Sequence, residues 1–185
     1  MEARLECLQG AWLSGFGILR VPYGASHGIG HSLGAVTGMS HGYTSCIMLP
    51  HVMRWNFDAT KAAQTRIAEA MGRSDGDAPQ AVADLVAGLG LPTRLRDLGV
   101  QQEQFAQIAR GAQENLWVRT NPRPIKGVED LQRLLEAAWS GQRAGARRDR
   151  GIPGKLQDAV RLLRKSRKVW ANWSSMWPLR VERLT

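Results

Sequence analysis

Between Gly24 and Asn56 the chain reads GASHGIGHSLGAVTGMSHGYTSCIMLPHVMRWN, a stretch holding all four histidines, His27, His31, His41 and His51, among six glycines. Histidine is the commonest metal ligand and titrates near neutral pH. Neighbouring glycines let backbone or ligand approach closely, at a cost in helix stability. His27 and His31 stand at i and i+4, so on a helix they share one face. On one unbroken helix His41 would lie about 21 Å beyond His27, too far for a shared ion. Gly38-Met39-Ser40 offers a break. A helix ending near Gly38 and another beginning at Ser40, whose side chain suits an N-cap, would turn His41 back toward His27. The spacing therefore permits a site built by two consecutive helices. The plainer reading is a pair of surface or capping histidines, since two ligands make an incomplete metal shell.

The order of these residues, His27-Gly-Ile-Gly-His31-Ser-Leu33-Gly34, then His41-Gly42, Leu49-Pro50-His51 and Arg54-Trp55-Asn56, resembles the C-terminal signature of the iron-containing alcohol dehydrogenase family. The likeness is greatest to the family's maleylacetate reductase-like branch. It continues through Leu91-Pro92-Thr93-Arg94 and Thr120-Asn121-Pro122-Arg123-Pro124 to Trp139, and so covers roughly residues 2–139. The resemblance implies that His27 and His41 bind a catalytic divalent metal, Fe2+ or Zn2+, and that His31 lines the substrate and nicotinamide pocket. One departure is Ser40, where the family usually has proline. The implied reaction is hydride transfer between NAD(P) and a small alcohol or keto-acid substrate in the complete enzyme. A homodimer is allowed. The family's nucleotide-binding domain and its two other ligands, an aspartate and a histidine, have no counterpart here, and Gly28-Ile-Gly30 follows no strand, as a dinucleotide fingerprint would. The expectation is a C-terminal portion of an enzyme, or a gene fragment, inactive by itself, with no residue assigned to the cofactor.

A chain of 185 residues with 43% apolar residues suits one globular domain with a real core. Cys7 and Cys46 are too few and too far apart for a disulfide framework, so a reducing cytoplasm is the expected setting. No apolar run is long enough to span a bilayer, so no membrane partner is expected. The net charge of +9 is a property of the last segment alone: from Gly141 onward twelve basic residues face three acidic ones. Residues 1–140 are accordingly read as a helical metal and substrate domain, and 141–185 as a basic extension, helical or disordered, whose arginine- and tryptophan-rich composition a frameshifted or read-through end would explain. The alternative function, from a different class, is a non-catalytic helical domain whose basic tail binds nucleic acid or an acidic surface through phosphate attraction. Nothing in the tail reads bases, and the plain alternative is a solvated extension.

Along the chain the expected class is all-α, a bundle of about six to eight helices. Residues 2–18 place Leu5, Leu8, Trp12 and Ile18 on one stripe, predicting a buried helix. Helices follow over 26–37 and 41–56, the second with a kink or break at Pro50. Further helices are expected over 58–71, from Pro79 to about Leu89, over 101–115 and over 127–139. Residues 94–100 read as an extended connection and 117–124 as a loop. His51 is expected to be structural rather than a ligand, and Cys46 a small buried hydrophobe.

Overall fold

The computed structural model describes residues 2–17 and 21–141. Among these residues there is no strand, and the chain is all-α as expected. The helices are Glu2–Gly17 (α1), Ala25–Thr37 (α2), His41–Trp55 (α3), Phe57–Ala70 (α4), Ala78–Gly88 (α5), Phe105–Glu114 (α6), Leu116–Arg119 (α7) and Val128–Ser140 (α8). Short 3-10 turns at Leu95–Leu98 and Gln102–Gln104 join α5 to α6.

The reversal between α2 and α3 sits where glycine permits it. Gly38 takes φ 70°, a left-handed conformation that closes α2 by donating its N–H to the Gly34 carbonyl at 2.9 Å. Ser40 is extended and stands at the N-cap of α3, but its side chain makes no capping hydrogen bond. The turn is instead held by Met39 N–H on the Thr37 hydroxyl (3.3 Å) and by the Ser40 carbonyl, which accepts from Tyr43 and Thr44 N–H. Two further glycines allow close approach. A Cβ on Gly30 would lie 2.9 Å from Thr44 Oγ1 of α3, and one on Gly28 would lie 2.7 Å from Val118 Cγ2 of α7. The glycines that weaken α2 as an isolated helix thus let α3 and α7 press against it.

Ile29 and Leu33 of α2 lie in the core with Ile47, Met48 and Val52 of α3, Ile108 of α6, and Leu131 and Leu135 of α8. Burying an aliphatic side chain of this size contributes roughly 1.5–3 kcal/mol. Polar groups tie the ends together. Asn56 and Asn121, both buried, exchange side-chain hydrogen bonds at 3.0 and 2.7 Å. Asn121 Oδ1 also accepts from Ala25 N–H at 3.1 Å, which anchors the first turn of α2 to the residues that follow α7. The Thr120 hydroxyl donates to the Tyr23 carbonyl at 2.6 Å, fixing the segment that leads into α2.

Several expectations need correction. The first helix forms, but it is not buried: Leu5, Leu8, Trp12, Leu13 and Phe16 are all exposed. Trp12 and Phe16 pack edge-on against each other, 4.7 Å between ring centroids. A periodic stripe reports that a face is apolar, not that this chain supplies what covers it. Residues 95–98 coil into a 3-10 turn instead of running extended, because Leu95 is drawn fully into the core. Residues 116–119 form a short helix rather than loop; the Asn115 side chain caps it by accepting from Trp117 N–H at 3.0 Å. Pro50 lies inside α3, which runs on as one helix to Trp55; the non-helical residue is Thr60 in α4. The expected basic extension beyond Gly141 and the position of Ile18 lie outside the described residues.

Candidate metal centre

Three of the four histidines meet. The ring centroids of His27 and His31 are 4.5 Å apart, those of His27 and His41 4.7 Å, and those of His31 and His41 5.5 Å. One ring nitrogen from each can be chosen so that all lie within 4.8 Å of one another. His27 and His31 come from adjacent turns of α2 and His41 from the first residue of α3, so the reversal at Gly38 does bring His41 back.

Two aromatic side chains wall the cluster. Tyr23 stacks on the His27 ring at 4.4 Å, and Trp117 stands edge-on to His27 at 4.9 Å and to His31 at 5.0 Å. His27 is half-buried beneath them, while His31 and His41 are exposed. Burial, helped by the neighbouring His31 and His41, holds His27 below the ordinary imidazole pKa. It is therefore kept in the neutral form that a ligand requires. Among the described residues no side-chain hydrogen bond claims a ring nitrogen of these three histidines, and the donor set fits a divalent transition ion, for which imidazole is well suited.

His51 goes elsewhere. Ten residues after His41, it lines a cavity of about 330 Å³ between α3 and α5, which Cys46, Arg54, Asp84 and Arg94 also line. Burial, and secondarily the Arg54 charge, lower its pKa to about 4. Cys46 is half-buried rather than fully buried, and burial pushes its thiol pKa up, away from nucleophilic use.

Sequence reasoning missed Tyr23 and Trp117. Tyr23 stands beside the motif, but nothing in the sequence marks it as a wall. Trp117 lies ninety residues after His27, and only the packing of α7 on Gly28 brings it there.

The chain is 35% identical over 147 residues to lactaldehyde reductase of Escherichia coli K12, a match covering 75% of this chain and 38% of that protein. It is 36% identical over 143 residues to maleylacetate reductase of Burkholderia cepacia, covering 77% of this chain and 39% of that protein. Among solved structures it resembles the iron-containing alcohol dehydrogenase of Corynebacterium glutamicum ATCC 13032, with a TM-score of 0.57 and 33% identity over 64% of this chain and 32% of that one. The chain thus spans about two-fifths of the length of the curated relatives it matches. The model of the Fe-containing alcohol dehydrogenase family's C-terminal region matches residues 1–139, the segment that carries the histidine cluster, its aromatic walls and the core beneath them, and the chain belongs to that family.

Proposed function

We propose that this chain supplies the metal- and substrate-binding side of a metal-dependent, NAD(P)-linked oxidoreductase that moves hydride between nicotinamide and a small alcohol or carbonyl compound. The observation that carries the reading is the meeting of His27, His31 and His41 across the α2–α3 reversal, within the segment matched to the family. His27 and His41 would hold Fe2+ or Zn2+, His27 half-buried and neutral, His41 reaching in from the exposed start of α3. A divalent ion so held supplies Lewis-acid polarisation of a substrate oxygen. His31, one turn beyond His27 and exposed, lines the substrate and nicotinamide side, where its ring can hydrogen-bond a substrate. Tyr23 and Trp117 shield one side of the cluster from water and fix the His27 ring. No described segment has the strand–glycine turn–helix form that cradles a dinucleotide, and by itself the chain is expected to turn over no alcohol.

Equilibrium dialysis of the purified chain against Zn2+ or Fe2+ tests the metal role. One ion per chain is expected, lost in His27→Ala; no uptake at submillimolar metal would overturn the reading. Sustained NADH production from short alcohols by the purified chain, abolished in His27→Ala, would overturn its expected inactivity.

A further inference from the structure

The cavity of about 330 Å³ between α3 and α5 mixes two kinds of wall. Ile47, Pro50, Ala83 and Val86 are apolar, while Arg54 of α3 and Arg94, from the segment after α5, are cationic. Both arginines are only partly committed to neighbours. Arg54 stands 3.8 Å from Asp77, beyond hydrogen-bond range, with both side chains nearly half exposed, and such pairs contribute little. The same Asp77 oxygen caps α5, accepting from Gln80 N–H at 3.0 Å. Arg94 donates to Asp97 through Nε alone, at 2.8 Å, so among the described residues its two terminal nitrogens stay open. The Arg94 stem lies against Gly141, where a Cβ would meet its Cγ and Cδ at 2.6 Å. Asp84, the acid among the described residues that line the cavity, is already engaged: it accepts from Arg73 at 2.7 Å and from Gln80 Nε2 at 2.7 Å. His51, with its pKa lowered to about 4, is neutral at pH 7 and adds no charge. The cavity thus presents a surplus of guanidinium donors beside an apolar surface.

We propose that this cavity is a binding site for a small aliphatic carboxylate, its carboxyl group held by Arg54 and Arg94 and its hydrocarbon end against Ile47, Pro50 and Val86. A carboxylate matches the planar fork of a guanidinium, and charge-assisted bonds of this kind are about twice as strong as neutral ones. The volume falls at the small end of the range for ligand pockets, about 300–1,000 Å³, which suits a chain of a few carbons. An inorganic anion would satisfy the arginines but leave the apolar wall wet. The site is separate from the histidine cluster. His51 follows His41 by ten residues of α3, about 15 Å along the helix, and the inference does not depend on the metal reading.

The test uses the full 185-residue chain with a chelator present and no metal added. Isothermal titration with butyrate shows one site per chain, and butyramide, its uncharged counterpart, binds at least about tenfold more weakly. Arg54→Gln weakens butyrate binding at least about tenfold. Arg94→Lys, which keeps the charge and loses the fork, weakens it less. Ala83→Met, which fills the cavity and leaves both arginines in place, abolishes it. Far-UV circular dichroism checks that each variant folds. In NMR spectra of the unsubstituted chain, butyrate shifts the ring resonances of His51 and leaves those of His27, His31 and His41 in place. Butyrate uptake that survives both Arg54→Gln and Ala83→Met, or that shifts the His27 ring instead, would overturn the proposal, as would no uptake at tens of millimolar. Inorganic phosphate bound as tightly as butyrate, and lost in Arg54→Gln, would overturn the carboxylate assignment in favour of a general anion site. None of these outcomes bears on Zn2+ uptake at the histidine cluster, so the two readings fail separately.

Discussion

The two ends of α3 carry the same residue type in opposite circumstances. At its start His41 is exposed and meets two other imidazoles. Ten residues on, His51 is largely withdrawn from solvent beside Arg54, and among the described residues no second histidine joins it and no acid forms an ion pair with it. The first arrangement gathers lone pairs at one point and suits a cation. The second burdens a single ring with desolvation and a like charge, which forces neutrality and suits packing. A histidine's role is thus decided by what converges on it, not by the motif it belongs to, since both lie within one 33-residue stretch.

The largest effect that should separate the two ends is on metal. His27→Ala should abolish stoichiometric Zn2+ uptake, whereas His51→Leu should leave it intact. Isothermal titration of the two variants checks this, and equal losses would erase the distinction.

Acid should expose the opposite end. The folded-state pKa of His51, about 4, lies below its ordinary 6.5, so the unfolded chain takes up this proton first as pH falls. The stability tied to His51 neutrality is therefore complete above pH 6.5 and is lost progressively between 6.5 and 4. At 1.36 kcal/mol per pKa unit the loss is at most about 3–4 kcal/mol. Thermal midpoints at pH 7 and 5 should diverge in the unsubstituted chain and diverge less in His51→Leu. An identical pH response in both would remove His51 as the cause.

A smaller effect should come from wedging α2 from α3 beneath the cluster. Gly30→Ala sets a methyl group 2.9 Å from Thr44 Oγ1, a fully buried side chain. Overpacking of this kind costs about 1–3 kcal/mol. Chemical denaturation measures that loss, and Zn2+ affinity should weaken with it because His41 moves with α3. The smallest effect is expected on α1, where Leu8→Ala removes an exposed side chain and should change stability by less than about 0.5 kcal/mol. A larger drop would mean that something covers that face.

Much of the bundle was legible because its helices are periodic and punctuated. Phe105, Ile108, Ala109 and Ala112 recur on one face of α6, and Leu131, Leu134, Leu135 and Ala138 on one face of α8; all eight are buried. Gly38 and Gly141 end helices in left-handed conformations that few other residues adopt. The short elements were not legible. Residues 95–98 and 116–119 are too brief to show a period, and their shapes follow from Leu95 entering the core and from Asn115 capping the next turn. The candidate site divides in the same way. Its three histidines could be picked from spacing and the break at Gly38, but Trp117 and the Asn56–Asn121 pair could not, because residues distant in sequence meet only when helices pack.

The amino-acid sequence by itself therefore determined the all-α class and the reversal after α2, and it permitted His27 and His41 to share an ion, since these depend on helical rise and on residues close in the chain. Tertiary structure alone decided that His31 stands within reach of both other rings and that α1 leaves its apolar face uncovered. It also decided that His51, from the same motif, is drawn into a separate cavity. Each of these outcomes depends on which helix lies against which. Such contacts are governed by shape complementarity across the whole core, as where Gly28 admits Val118 and Gly30 admits Thr44.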